Sequence, residues 1–148
     1  MKLCSAALLS FMLVAVRGAV QQPTVQGAGS SKVVLRLLNG KNGKPLTDER
    51  PNIWLGNASG ITRKTDANGE IALDISHVQP RTVRVFGNEY VDCRLRGSNK
   101  FAPMNVSYPL DEIIAKGIVT ENDCGKYRVD PIPGVLVLYL RPMTFLEK

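Results

Sequence analysis

The stretch Thr65–Leu73, TDANGEIAL, has two readings, and the choice between them decides the fold. Asp66, Asn68 and Glu70 alternate as oxygen-bearing side chains, as in a calcium loop. The same letters also spell a tight turn that delivers the chain into a strand. An EF-type loop needs Gly at its sixth position and Glu at its twelfth. Counting from Asp66, those positions hold Ile71 and His77. The turn reading uses every residue instead. Asp66 can bond the backbone two residues on, Asn68-Gly69 tolerates positive φ, and Ile71, Leu73 and Ile75 then fill one face of a strand. The stretch is therefore read as a hairpin turn with Thr65 closing the preceding strand, and no metal site is expected.

The same alternation extends to both sides. Lys32–Leu38 (KVVLRLL), Asn52–Leu55, Ile61–Thr65, Glu70–Ile75, Thr82–Gly87, Tyr90–Leu95 and Val135–Leu140 (VLVLYL) read as strands. Gly, Pro and Asn cluster between them, most densely in NGKNGKP after the first. Val135–Leu140 is apolar on both faces, which predicts a central strand covered on both sides. One segment breaks the pattern. Within Ser107–Val119, Leu110, Ile113 and Ile114 stand at helical spacing, with Pro109 at the start and Gly117 just past the end. That predicts one short helix of about two turns. About seven short strands with turns between them predict an all-β chain, an antiparallel β-sandwich with one helix.

The N-terminus reads MKLCSAALLSFMLVAVRGAV. A basic Lys2, an apolar run Leu3–Val16 and small residues at Gly18 and Ala19 have the anatomy of a signal peptide over residues 1–18. The run is short of the roughly 20 apolar residues a membrane span needs. Residues 19–31 lack periodicity and read as a flexible lead, so residues 32–148 form the domain. Removal of the leader implies a secreted or periplasmic protein with no membrane span. It also removes Cys4, leaving Cys93 and Cys124, which in such a compartment most simply form one disulfide. The bridge would close a loop of about 30 residues and stabilise the fold by roughly 3–4 kcal/mol.

Losing Lys2 and Arg17 lowers the formal charge from +6 to +4. The densest basic stretch, Arg81–Lys100, alternates cations with apolar residues as the wet face of a strand does. Nucleic-acid binding needs a denser patch with stacking aromatics and is not expected.

The runs VVLRLLNGKNGKPL, TRKTDANGEIAL and PRTVRVFGNEY, in that order, resemble the carboxypeptidase regulatory-like, or prealbumin-like, β-sandwich over about Lys32–Leu95. The tail GIVTENDCGKYRVDPIPGVLVLYLRPMTFLEK is similar to the C-terminus of small secreted bacterial proteins that carry this domain. The resemblance implies a fold and a compartment. It brings no catalytic residue and no cofactor. Relatives of this architecture include carbohydrate-binding modules, adhesin repeats and transthyretin-like hydrolases, and fold alone does not choose among them.

An enzyme would need a general base, and His77 is the only histidine. A transthyretin-like hydrolase would carry several histidines and a C-terminal Tyr-Arg-Gly-Ser, whereas this chain closes with YLRPMTFLEK. No GxSxG, HExxH or phosphate loop is present. The acidic neighbours Asp48/Glu49 and Asp111/Glu112 read as solvated loop and helix-start charges. The expectation is a non-enzymatic structural or binding module whose partner is unknown, an envelope protein or a glycan. Trp54 is expected in the core. The candidate ligand surface is Tyr90, Phe101, Tyr108 and Tyr127, in or beside the Cys93–Cys124 excursion, because loops on a rigid scaffold commonly carry function. A protein contact would instead use an apolar patch near Met143–Leu146.

Overall fold

The computed structural model describes residues 31–86, 90–95 and 106–143. The expected leader, the lead up to residue 30, Phe101 and the patch beyond Met143 lie outside the described residues. All seven expected segments contain strand: β1 (Lys32–Asn39), β2 (Asn52–Leu55), β3 (Ile61–Thr62), β4 (Glu70–Asp74), β5 (Thr82–Phe86), β6 (Tyr90–Asp92) and, at the end, β9 (Val135–Pro142). A 3₁₀ turn, Cys93–Leu95, follows β6. Two further two-residue strands, β7 (Tyr108–Pro109) and β8 (Ile118–Val119), flank the helix α1 (Leu110–Lys116). The helix sits where its spacing places it. Pro109 is its N-cap, and the N–H of Gly117 bonds back to the Ile113 carbonyl at its end. Asp111 and Glu112 in the first turn and Lys116 in the last suit the helix dipole.

The strands form two sheets. The larger has the order β4-β1-β9-β6, with β8 beside β6 on the same edge of β9; the smaller has the order β3-β2-β5-β7. The smaller sheet is antiparallel throughout. The larger is mixed, because β9 runs parallel to both β1 and β8. This corrects the wholly antiparallel expectation. A parallel pair needs a long crossover, and here the whole smaller sheet lies between β1 and β9 in the chain. Strand direction leaves no mark on the alternation of side chains, so the pattern alone is blind to it.

The opening stretch is also corrected in part. It is a turn, but no hairpin: β3 belongs to the smaller sheet and β4 to the larger, so the chain crosses between sheets here. The strand before it ends at Thr62, and Thr65 is an anchor for the crossing. Its hydroxyl donates to the Leu46 carbonyl at 2.7 Å and accepts the Glu49 N–H at 2.9 Å. The Thr65 N–H donates to the Glu49 carbonyl. This buried threonine therefore has all its polar atoms bonded. Asp66 Oδ1 accepts the N–H groups of Asn68 and Glu70, both at 2.8 Å. Gly69 supplies the positive φ, +72°.

The main core lies between the sheets. Val33, Leu35 and Leu37 of β1, Ile71 and Leu73 of β4, and Leu136, Leu138 and Leu140 of β9 meet Ile53 and Val83 of the smaller sheet. Leu110 and Ile113 of α1 join them. Each such side chain contributes roughly 1.5–3 kcal/mol by leaving water. A second cluster covers the opposite face of the larger sheet: Leu38, Val135, Val137, Tyr139 and Cys93, with Val119, Cys124 and Val129 over them. Val135–Leu140 is thus buried on both faces, as its sequence predicts.

Candidate functional site

The second cluster is roofed by the chain between β8 and β9, and three devices hold that roof down. The first is the Cys93–Cys124 disulfide, with Cα atoms 5.3 Å apart, within the ordinary range for a bridge. The second is Asn122, which is 1% exposed. Its Nδ2 donates to the carbonyls of Gly40 (2.8 Å) and Tyr127 (2.9 Å), and its Oδ1 accepts the Cys124 N–H (3.2 Å). The third is the Tyr139 hydroxyl, which accepts the Val129 N–H at 2.9 Å. Burial pushes the Tyr139 phenol up from its ordinary value, against the hydrogen bond from Val129.

The loop after β1 packs against this roof. The side chain of Asn39 accepts the Lys41 N–H, and that of Asn42 accepts the Lys44 N–H. A Cβ on Gly40 would overlap Cys93 Sγ and stand 2.6 Å from Asn122 Oδ1. A Cβ on Gly43 would stand 2.5 Å from three consecutive ring atoms of Tyr127 at once. That places it over the ring face, so Gly43 is the floor on which Tyr127 lies. Tyr127 is 41% exposed and meets the buried Tyr139 edge-on, with ring centroids 6.4 Å apart.

The three described aromatics of the expected four do not form one surface. Tyr127 is on the surface as expected. Tyr108 is not: it is 7% exposed, in β7, paired with Val83. Its alternating place on an edge strand turns the ring inward, and the Arg94 guanidinium lies over it at 5.5 Å. Burial pushes the Tyr108 phenol up to about 12, against the pull of Arg94. Arg94 chelates Asp92, with Nε within 3.0 and 3.1 Å of the two carboxylate oxygens and Nη2 on Oδ2. Burial opposes the Arg94 charge, but the Asp92 carboxylate and the Tyr108 ring outweigh it and hold the guanidinium above its ordinary value. Tyr90 is half-buried against the main core, and its hydroxyl donates to Glu49 Oε1 at 2.5 Å. Phe101 lies outside the described residues.

Trp54 corrects another expectation. Ile53 takes the core side of β2, so its neighbour Trp54 faces outward, half-buried, with Arg84 of β5 at 5.8 Å over the indole. Arg84 and Phe86 share that outer face by alternation with Val83 and Val85.

The acidic neighbours are drawn to separate partners. Asp48 pairs with Lys64, Asp111 with Arg81, and Glu112 with Lys116 one helical turn on, while Glu49 accepts from Tyr90. His77 is exposed on the turn after β4. Its nearby carboxylate, Asp74, accepts both the N–H and the hydroxyl of Ser76, and these bonds hold its pKa below the ordinary carboxylate value.

Asn122, Gly40 and Gly43 were not singled out from the sequence. The one local signal is Asn-Asp-Cys-Gly, an amide two residues before a bridging cysteine. Compared with family models, with curated proteins and with solved structures, the chain finds no match in any of the three.

Proposed function

We propose that this chain is a non-enzymatic binding module that works outside the cytoplasm, secreted or periplasmic, on a β-sandwich of the carboxypeptidase regulatory-like kind. The observation that carries this reading is Tyr127, an aromatic 41% exposed on a loop that a disulfide and a fully bonded buried asparagine hold in place. An exposed ring on a fixed loop meets a ligand without the entropy loss of ordering that loop. The disulfide and the N-terminal leader motif support the compartment. His77 stands exposed on a turn, whereas a hydrolase would need it in a cleft, and this supports the non-enzymatic reading.

The test is co-sedimentation of the purified protein with insoluble cell-envelope material. Saturable binding that Tyr127→Ala reduces several-fold, with no change in the envelope polymers on long incubation, is expected. Binding unaffected by that substitution, or turnover of the material, would overturn the proposal. A second reading, a carbohydrate-binding module using the outer face of the smaller sheet, rests on Trp54 beneath Arg84. It requires Trp54→Ala, and not Tyr127→Ala, to remove the binding.

A further inference from the structure

We infer that the ligand at Tyr127 is an acidic polysaccharide, a chain of sugar rings bearing carboxylates; this rests on the binding-module reading above. Four exposed cations lie on the two loops that meet at the ring. Lys41 and Lys44 flank the floor of the ring, in the loop that packs on it, and Lys126 and Arg128 flank Tyr127 itself. The two loops touch directly, since a Cβ on Gly125 would stand 3.1 Å from the Lys41 Cα. Among the described residues none of the four is ion-paired. The salt bridges there engage Arg36, Lys64, Arg81, Arg94 and Lys116 instead. Arg128 directs Nη1 onto the carbonyls of Gly125 and Tyr127, which steadies its charge beside the ring. The acids of the same segment, Glu121, Asp123 and Asp130, stand to either side of the Lys126–Arg128 stretch and not within it.

The chemistry follows from this placement. One face of Tyr127 lies on Gly43, so a ligand has to use what remains exposed, a flat apolar surface with a hydroxyl at its tip. A pyranose ring presents a C–H face that suits such a surface. Four unpaired cations on two fixed loops favour a polyanion, and the attraction between exposed charges weakens with salt. A neutral glycan would leave all four cations without a role. The extracytoplasmic reading sets nucleic acid aside.

The experiment measures binding of the purified protein to polygalacturonate, with its carboxyl-reduced form as the neutral control, at low and high salt. Binding to the acidic polymer is expected, falling at least about tenfold in the triple variant Lys41→Gln/Lys44→Gln/Lys126→Gln. Tyr127→Ala is expected to weaken what binding remains at high salt. Thermal melts of both variants establish that they are folded. Equal binding to the two polymers, no binding to either, or a preference for anionic phospholipid vesicles over the polymer would each overturn the inference. If the envelope binding described above persists while polygalacturonate fails, the module reading stands and only the ligand class is lost.

Discussion

Asn122 ties the backbone of its own loop to that of Gly40, far away in the chain. Its amide reaches the Gly40 carbonyl 82 residues away and the Tyr127 carbonyl 5 away, while its oxygen takes the Cys124 N–H. Asn122→Ala would leave these groups without a partner in a buried place, at about 2–3 kcal/mol. Urea unfolding of the variant measures this directly, and a loss under about 0.5 kcal/mol would contradict the role given to the side chain. Asn122 and Asp66 differ in how readable they are. Asp66 acts on backbone two and four residues ahead, so its role can be read from the letters around it. Asn122 acts on a carbonyl that only the folded topology brings near, and its neighbours Glu121 and Asp123 make it look like one more polar loop residue. Trp54 failed for a related reason. Its size argues for burial, but Ile53 beside it takes the core side of the strand, and alternation then turns the larger residue out.

The strands and the helix were readable where a repeat of side chains marks them, and unreadable where hydrogen-bond partners alone define them. The helix from Leu110 to Lys116 shows its apolar face and both ends in the sequence. The two-residue strands β7 and β8 exist only because β5 and β9 are beside them. The same blindness hid the parallel pairing of β1 with β9. The roof between β8 and β9 has no regular structure, so it depends on its anchors, of which the disulfide is one. Loss of the bridge by reduction, or by Cys93→Ala/Cys124→Ala, is expected to lower stability by roughly 3–4 kcal/mol. Because Leu38, Val135, Val137 and Tyr139 lie under the roof, it should also raise binding of an apolar dye while far-ultraviolet dichroism changes little. Mass spectrometry checks the premise, since the unreduced protein must be lighter than the reduced one by two hydrogens. Dye binding that stays flat on complete reduction would show that Asn122 and Tyr139 hold the roof without the bridge.

The two sheets are joined by the main core and by polar stitches between strands of different sheets. One runs from Asp92 of β6 through Arg94 to the ring of Tyr108 on β7, linking the edge of the larger sheet to that of the smaller. This stitch ties global stability to alkaline pH. The Tyr108 phenol, ordinarily near 10, is raised to about 12, chiefly by burial. A raised pKa means that the fold favours the protonated form. Below pH 10 both folded and unfolded chains keep that proton, and the contribution of Tyr108 to stability is complete. Between about 10 and 12 the unfolded chain releases it and the folded chain does not, so unfolding is drawn forward as pH rises. A shift of about two units corresponds to a loss on the order of 2–3 kcal/mol across that window. Tyr108→Phe keeps the ring under Arg94 and removes the titrating hydroxyl, so its stability should fall less over the same interval. Other groups, lysines among them, titrate in both proteins and cancel in the difference. Urea unfolding of the two proteins from pH 8 to pH 12 reads that difference. Curves that run parallel throughout would mean that Tyr108 is not the proton that couples the sheets to pH, and that its ring reaches solvent more freely than its place in β7 requires.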